Sequence, residues 1–373
     1  MIAPYSEARK NKCWKINTLQ FSRHLERNCL DLKKEVDKRC YHIKPSLSFI
    51  AFTPVKREIF AGDFSDRIVH HLIFEELNQH YDSLFINDCY SCRKCRGTGY
   101  GIERASKFLR SVSSNNTKTA YVMKLDIAGY FMNIDRKKLY EDNKKLINRF
   151  FIKNPNKKNL LLYLLKKIIF NDPTTNCYLR GDHSDWKGLP KNKSLFYAPP
   201  GKGLPIGNLT SQLFGNVYLN DFDHFIKEKL KCRYYGRYVD DMIFMHKDKE
   251  YLKALIPKID NYLQKNLGLN LHPKKIYLQD INKGLPFLGM IIKLRSIYPG
   301  KRIRHNFINA LRKAEKTKKG IESINSYLGM MKNYNSYKFR KKHLESLLGE
   351  QALKGLNARV NDDYTIIKKN FYY

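Results

Sequence analysis

Two adjacent carboxylates set between apolar runs constrain this chain more than any other feature. Arg237-Tyr238-Val239-Asp240-Asp241-Met242-Ile243-Phe244 lies within Tyr234–His246, which reads as two strands around a tight turn at Asp240 and Asp241. Burying two like charges side by side is costly unless a cation neutralises them. Asp-Asp is also ordinary turn chemistry, so the pair alone leaves a plain turn open. A third carboxylate narrows the choice. Lys124-Leu125-Asp126-Ile127-Ala128-Gly129-Tyr130-Phe131 ends an apolar strand, Tyr121–Ile127, in Asp126. Two divalent ions about 4 Å apart need bridging carboxylates from separate strands. Oxygen ligands suit Mg²⁺, two ions here, with Mn²⁺ as a substitute. The bland alternative for Asp126 is a strand-end residue accepting backbone hydrogen bonds.

Charge speaks for the partner. The 373 residues carry 70 Lys and Arg against 35 Asp and Glu, a net +35 that favours a polyanion. A composition bias toward Lys, Asn, Tyr and Ile is the competing account. Hydrophobic residues at 42% and aromatics at 13% support a sizeable core and exclude a disordered tail. The start, MIAPYSEARKNKCWK, has no apolar core behind it. The longest apolar run, Leu160–Leu165, falls far short of the roughly 18 residues of a membrane span. A cytoplasmic protein with no membrane contact and with reduced thiols is therefore expected. Cys89, Cys92 and Cys95 form C-x2-C-x2-C, but zinc needs a fourth ligand and no second pair follows. Small buried thiols are the simpler reading.

The first 45 residues are polar and basic, with a helix from about Leu19 to Asp37. Ser65 is placed to cap a helix carrying Ile68, Val69, Leu72, Ile73 and Leu77 on one face. Leu160–Phe170 reads as a core helix. Residues 171–205 are punctuated by Gly and Pro, and a loop of that length in a compact domain is often functional. Asn208–Leu219 looks helical, as does Tyr251–Leu267, ended by Gly268. Ile276–Gln279 and Phe287–Ile292 read as short strands. Beyond about Lys301 only helices are expected. One face carries Ile303, Phe307, Ile308 and Leu311, a second Ile321, Ile324, Tyr327, Leu328 and Met331, and a third Leu344, Leu347 and Leu348.

In this order the blocks resemble the reverse transcriptases, over about Lys56 to Ile292. Lys56-Arg57-Glu58-Ile59 through Asp66-Arg67-Ile68-Val69-His70-His71 is similar to the first fingers block, and Phe85-Ile86-Asn87-Asp88 through Arg96-Gly97-Thr98-Gly99 to the second. The Asp126 strand and Tyr238-Val239-Asp240-Asp241 resemble the two metal motifs. Leu267-Gly268-Leu269 through Pro273-Lys274-Lys275 is similar to the following lysine motif, and Phe287-Leu288-Gly289 to the primer-grip hairpin. Gly203-Leu204-Pro205-Ile206-Gly207-Asn208-Leu209-Thr210-Ser211-Gln212 has Gln where many group II intron relatives have Pro after Ser211. It has Ile206 where retroviral enzymes have Gln. With Trp186-Lys187-Gly188-Leu189-Pro190 and Lys193-Ser194-Leu195-Phe196, it resembles the reverse transcriptases of diversity-generating retroelements.

The resemblance implies an α+β right-hand polymerase. Residues 1–45 would be a basic N-terminal helical extension, 46–299 the fingers and an antiparallel palm, and 300–373 a helical thumb. It also implies an RNA-directed DNA polymerase copying a template RNA into cDNA with errors at adenines. Partners would be that RNA, the primer/cDNA duplex, dNTPs and a small accessory protein. Asp126, Asp240 and Asp241 would be catalytic, and with Ile127 they would form the metal site. Arg57, Phe131, Ile206, Gly207, Gln212 and Lys275 would meet the nucleotide, with Phe131 as the gate against a ribose 2′-hydroxyl and Lys56 supporting Arg57. Tyr238, Leu288 and Gly289 would meet the primer. Plain core packing stays open for Ile206 and a solvated role for Lys275; for Phe131 the motif position decides against plain core packing. Tyr130 departs from the two Phe residues many relatives carry, and the cysteine run is richer than expected. No RNase H, maturase or endonuclease extension is expected. Alternatives are a group II intron-like or retron-type reverse transcriptase, an RNA-dependent RNA polymerase, or a non-catalytic basic RNA-binding protein.

Overall fold

Apolar periodicity sets most of the elements. The computed structural model describes residues 1–53, 55–314, 320–347 and 358–369. The chain opens with α1 (Ile2–Arg9), α2 (Ile16–Arg23) and α3 (Leu25–Asp37). The single helix expected over Leu19–Asp37 is thus two, parted at His24, whose φ of −128° and ψ of 52° leave the helical region. Strands β1 (Ser46–Ala51) and β2 (Arg57–Ala61) pair antiparallel, and α4 (Phe64–Tyr81) follows. Its cap is Asp63, not Ser65. The Asp63 carboxylate accepts from the Ser65 amide at 3.0 Å, so the helix starts before Ser65 and takes that serine into its first turn.

Next come α5 (Thr98–Val112), β3 (Tyr121–Leu125), α6 (Tyr130–Asn133), α7 (Arg136–Phe150) and α8 (Pro155–Phe170). Asp135 and Asn154 cap α7 and α8 by accepting from the amides of Lys138 at 2.8 Å and Lys157 at 3.0 Å. The long 171–205 segment is built from one strand, β4 (Cys177–Leu179), parallel to β1, and from single turns of tight helix. After α9 (Leu209–Tyr218) and α10 (Asn220–His224) stand β5 (Tyr234–Tyr238) and β6 (Asp241–His246), then α11 (Lys249–Tyr262). A further helical turn ends at Gly268 with φ 61°.

Strand β7 (Tyr277–Asp280) completes a four-stranded sheet of order β5-β6-β3-β7. A second meander follows in β8 (Leu285–Phe287), β9 (Met290–Ile292) and β10 (Ile297–Pro299). One strand was expected over Phe287–Ile292. The chain instead reverses at Leu288 and Gly289, both at positive φ (50° and 85°). Helices α12 (Lys301–Ala314), α13 (Gly320–Met331) and α14 (Tyr337–Leu347) bury Ile303, Phe307 and Leu311, then Ile321, Ile324, Leu328 and Met331, then Leu344. Leu348 lies outside the described residues. The helix-only expectation for 300–373 gives way to a hairpin, β11 (Ala358–Val360) and β12 (Ile367–Lys369). Its turn is held by Asn361, whose side-chain oxygen accepts from the amides of Thr365 and Ile366 at 2.8 and 2.9 Å.

The chain packs as two compact units. One comprises Met1–Gly97, Lys124–Phe244 and Glu250–Tyr277; the other Thr98–Met123, Met245–Lys249 and Leu278–Tyr373. In the first, α1 and α9 pack on α4, and α7 on α8; in the second, α5 packs on β9 and α12 on α13. In the second unit α5 joins partners far along the chain rather than its neighbours in sequence. Among the described residues no helix is long and apolar enough to cross a membrane.

Candidate active site

All three acidic residues singled out by the sequence lie in the first unit. Strand β3 runs into Asp126, and the next residues are pinned by a second segment. Ala128 donates to the Asn270 carbonyl at 2.9 Å, His272 donates to the Asp126 carbonyl at 2.8 Å, and Ile127 bridges Leu271. The backbone of Asp126 is thus consumed by pairing while its largely buried carboxylate remains for other work. Ile127 is 1% exposed, so only its main-chain oxygen can serve a metal.

Asp240 and Asp241 sit where β5 turns into β6. Burial and the charges of Asp126 and Asp241 push the Asp240 carboxyl up to about 6, partly opposed by Arg57. The three carboxylates are thus close enough to feel one another. Two lysines answer them: Lys275 Nζ lies 2.6 Å from Asp126 Oδ2 and Lys124 Nζ 3.1 Å from Asp241 Oδ1. Lys275 was anticipated; Lys124 was not. Its signal was strand alternation, since residues 124 and 126 share a face. No three His, Cys, Asp or Glu side chains among the described residues are grouped as a metal site. The donor chemistry nevertheless fits a hard divalent cation, because it is all oxygen and its like charges need neutralising.

Phe131, half-buried on α6, packs with Ile206 and Ala198 against Phe60, Met132 and Leu195. Two expected nucleotide residues therefore share one apolar wall, and the 171–205 segment supplies part of it. Buried Glu58 docks that segment, accepting from Trp186 Nε1 at 2.7 Å, Ser194 Oγ at 2.7 Å and the Leu195 amide at 2.5 Å. Sequence reasoning missed this role; a lone Glu at an inward position of β2 was the available clue. Arg57, next along β2, is exposed, whereas Lys56 donates to the Lys187 carbonyl at 2.7 Å and so serves the loop.

Gly207 has φ 129°, and a Cβ there would stand 2.6 Å from the Phe60 carbonyl oxygen. Phe60 in turn donates to the Ile206 carbonyl at 2.8 Å, which draws the two chains together. Gly207→Ala should cost about 1–3 kcal/mol from strain and contact. A thermal melt beside wild type checks this; an unchanged Tm would refute it.

Gln212 is exposed on α9 and accepts from Cys92 Sγ at 2.8 Å. Cys89 is buried and Cys95 exposed, and all cysteines are free thiols. Tyr238 ends β5, half-buried. Leu288 and Gly289 belong to the second unit, where the Gly289 carbonyl accepts from Gly300 at 2.8 Å and shapes the start of α12.

Residues 57–292 match the family model for the reverse transcriptase (RNA-dependent DNA polymerase). The chain belongs to the reverse transcriptase family. Its fold class is the α+β polymerase type anticipated from the sequence, with mixed helices and an antiparallel sheet. It is 24% identical over 273 residues to the protein YkfC of Escherichia coli (strain K12), covering 64% of each chain. Among solved structures it is similar to apo telomerase of Candida tropicalis truncated from its C-terminal domain. There the TM-score is 0.46 and identity 15%, over 69% of this chain and 56% of that one. It is also similar to the Candida tropicalis telomerase complexed with a fragment of telomeric RNA, with TM-score 0.47 and 14% identity, over 85% and 59%. The chain thus spans under two thirds of each of these proteins.

Proposed function

We propose that this reverse transcriptase copies a template RNA into cDNA for a diversity-generating retroelement, with errors concentrated at template adenines. The polymerase chemistry is supported by Asp126, Asp240 and Asp241 lying close enough for their charges to interact, with Lys275, Lys124 and Arg57 beside them; the retroelement part is supported by the resemblance of residues 203–212 and 186–196. The primer 3′-hydroxyl attacks the α-phosphorus of a dNTP, an ester bond forms, and pyrophosphate leaves. Asp126, Asp240 and Asp241 would hold two Mg²⁺ ions, which when bound supply the Lewis acidity for both oxygens of the displacement. Arg57 offers a cation toward the triphosphate, and Lys275 is placed to orient or protonate pyrophosphate as it departs Asp126's neighbourhood. Phe131 closes the ribose side. Tyr238 would meet the primer and Gln212 the nucleotide environment; for Leu288 and Gly289 a primer role rests on the resemblance of Phe287-Leu288-Gly289 alone. The basic excess binds template and primer backbone. A small accessory protein and a cytoplasmic site of action complete the reading.

Primer extension on an RNA template with Mg²⁺ and dNTPs, with sequenced product, tests this. Extension with errors opposite adenines supports it. Faithful extension keeps the polymerase and removes the retroelement assignment, whereas RNA binding without extension removes both.

Ile206 gives the error reading its own test. It offers packing where a Gln would offer a hydrogen bond, and it sits in the Phe131 wall. Ile206→Gln should lower adenine misincorporation several-fold, since one polar contact discriminates by about 1–3 kcal/mol. An unchanged error spectrum sinks that link.

A further inference from the structure

The turn carrying the Asp pair holds a backbone outlier. Val239 stands at φ 57°, a left-handed conformation that a β-branched residue disfavours. Both of its main-chain groups are held by buried side chains. Its amide donates to Ser91 Oγ at 3.2 Å, and its carbonyl accepts from Arg237 Nη1 at 2.8 Å. Arg237 is itself fully buried, and Nε and Nη2 donate to Asp223, also fully buried, at 2.8 and 2.6 Å. Asn216 joins the halves: its Nδ2 donates to the Ser91 carbonyl at 2.7 Å, and its Oδ1 accepts from Ser91 Oγ at 2.9 Å and Arg237 Nη1 at 3.4 Å. Tyr235 donates to Asp223 at 2.6 Å. The cysteine run finds its place here. Arg237 Nη2 donates to Cys89 Sγ at 3.4 Å, and the backbone bonds on either side, Arg237 to Asp88 and Tyr90 to Arg237, are both 2.9 Å.

A buried ion pair is weak evidence for stability, since desolvation offsets most of its attraction. What this pair has in place of net stability is aim: its remaining donor goes to the one residue between β5 and Asp240 that is strained. We propose that Ser91, Asn216, Arg237 and Asp223 form a buried latch that holds Val239 left-handed and so fixes the direction of the Asp240 carboxylate. They are positioning residues. They act through the backbone of the turn. The inference rests on the polymerase reading for its kinetic consequence, but its structural content stands without it.

Strain and latch should be energetically coupled, which separates this role from ordinary core support. Of the two residues between β5 and β6 only Val239 has positive φ, the pattern of a turn whose first position favours Gly, so Val239→Gly should reduce the need for the latch. Ser91→Ala is the mild probe, because it removes the amide's partner and leaves the ion pair whole. In full-length protein, Ser91→Ala should lower single-turnover kcat at least about tenfold while KM for dNTP moves little, and weaken Mn²⁺ binding to the RNA-free protein in parallel. In the Val239→Gly background the same change should cost less than about threefold on both readouts. Arg237→Lys, which keeps the charge but loses the fork to Asp223 and Val239, should behave as Ser91→Ala does. Equal losses in both backgrounds, or a lowered Tm with kcat and Mn²⁺ affinity intact, would overturn the latch. An inactive wild type would remove the polymerase reading alone, because Mn²⁺ affinity still decides whether the turn depends on Ser91.

Discussion

Asp240→Asn should abolish primer extension, by at least about a thousandfold, and at the same time raise the melting temperature of the metal-free protein. The two effects share a cause. Asp240 is half-buried, and burial with Asp126 and Asp241 alongside lifts its carboxyl to about 6. Between about 4 and 6 the folded protein therefore binds a proton that the unfolded chain releases. Stability from this group is fully present below the unfolded value and is lost as pH rises through about 6. At neutral pH the ionised Asp240 is a liability of about 1–2 kcal/mol, discounted for its partial exposure. An Asn of the same shape removes that cost. It also removes an anionic oxygen from a site whose chemistry requires a cation held in place, and a misplaced reacting centre loses orders of magnitude. Melts in EDTA from pH 4 to 8 should show wild type losing stability between about 4 and 6 relative to Asp240→Asn, with the mutant's advantage flat above that. Added Mg²⁺ should stabilise wild type more than the mutant. A mutant that melts lower in EDTA, or that still extends primers, contradicts the proposed arrangement.

How much of this was legible in the sequence depends on whether a residue acts through its neighbours in the chain or through distant ones. The Asp pair, the Asp126 strand, the α9 helix and the Gly268 stop were readable because period, turn chemistry and caps are local signals. The break at His24 was not, because an apolar run persists across it while the backbone turns, and the reversal at Leu288-Gly289 was implied by the resemblance to a hairpin motif but not by periodicity. The docking of 171–205 through Glu58 was invisible for another reason: its donors, Trp186, Ser194 and Leu195, lie more than a hundred residues away and carry no periodic signature. Lys124 sits between the two cases. Its position was in plain view beside Asp126, but its partner Asp241 is on another strand. The Cys89-Cys92-Cys95 spacing suggested metal only by count; in the fold Cys89 Sγ accepts from Arg237, Cys92 Sγ donates to Gln212 and Cys95 is exposed.

Phe131→Val should admit ribonucleotides, raising the rNTP to dNTP ratio of kcat/KM by roughly a hundredfold, the discrimination that a pocket reaches against one added hydroxyl. The ring is held on two sides. It packs with Ile206 against Phe60, Met132 and Leu195, and the helix behind it presents Gly215, whose added Cβ would approach Phe131 Cε1 to 3.3 Å. Tyr130 fixes the same turn by donating to the Gly215 carbonyl at 2.5 Å. A ring so braced cannot swing aside for a 2′-hydroxyl at small cost, which is what a gate requires and what a merely space-filling aromatic does not. Val keeps the apolar contact but leaves a void on the ribose side. The core cost of the truncation, about 1–3 kcal/mol, predicts a lower Tm under either role, so stability does not separate them. Selectivity does. With dNTP kcat/KM kept within about tenfold and rNTP use rising, Phe131 is the gate; with both falling together it is only part of the wall. Gly215→Ala offers the converse test: by pressing the ring forward a few tenths of an ångström it should tighten selection against rNTP and slow dNTP use, and it leaves the three carboxylates untouched.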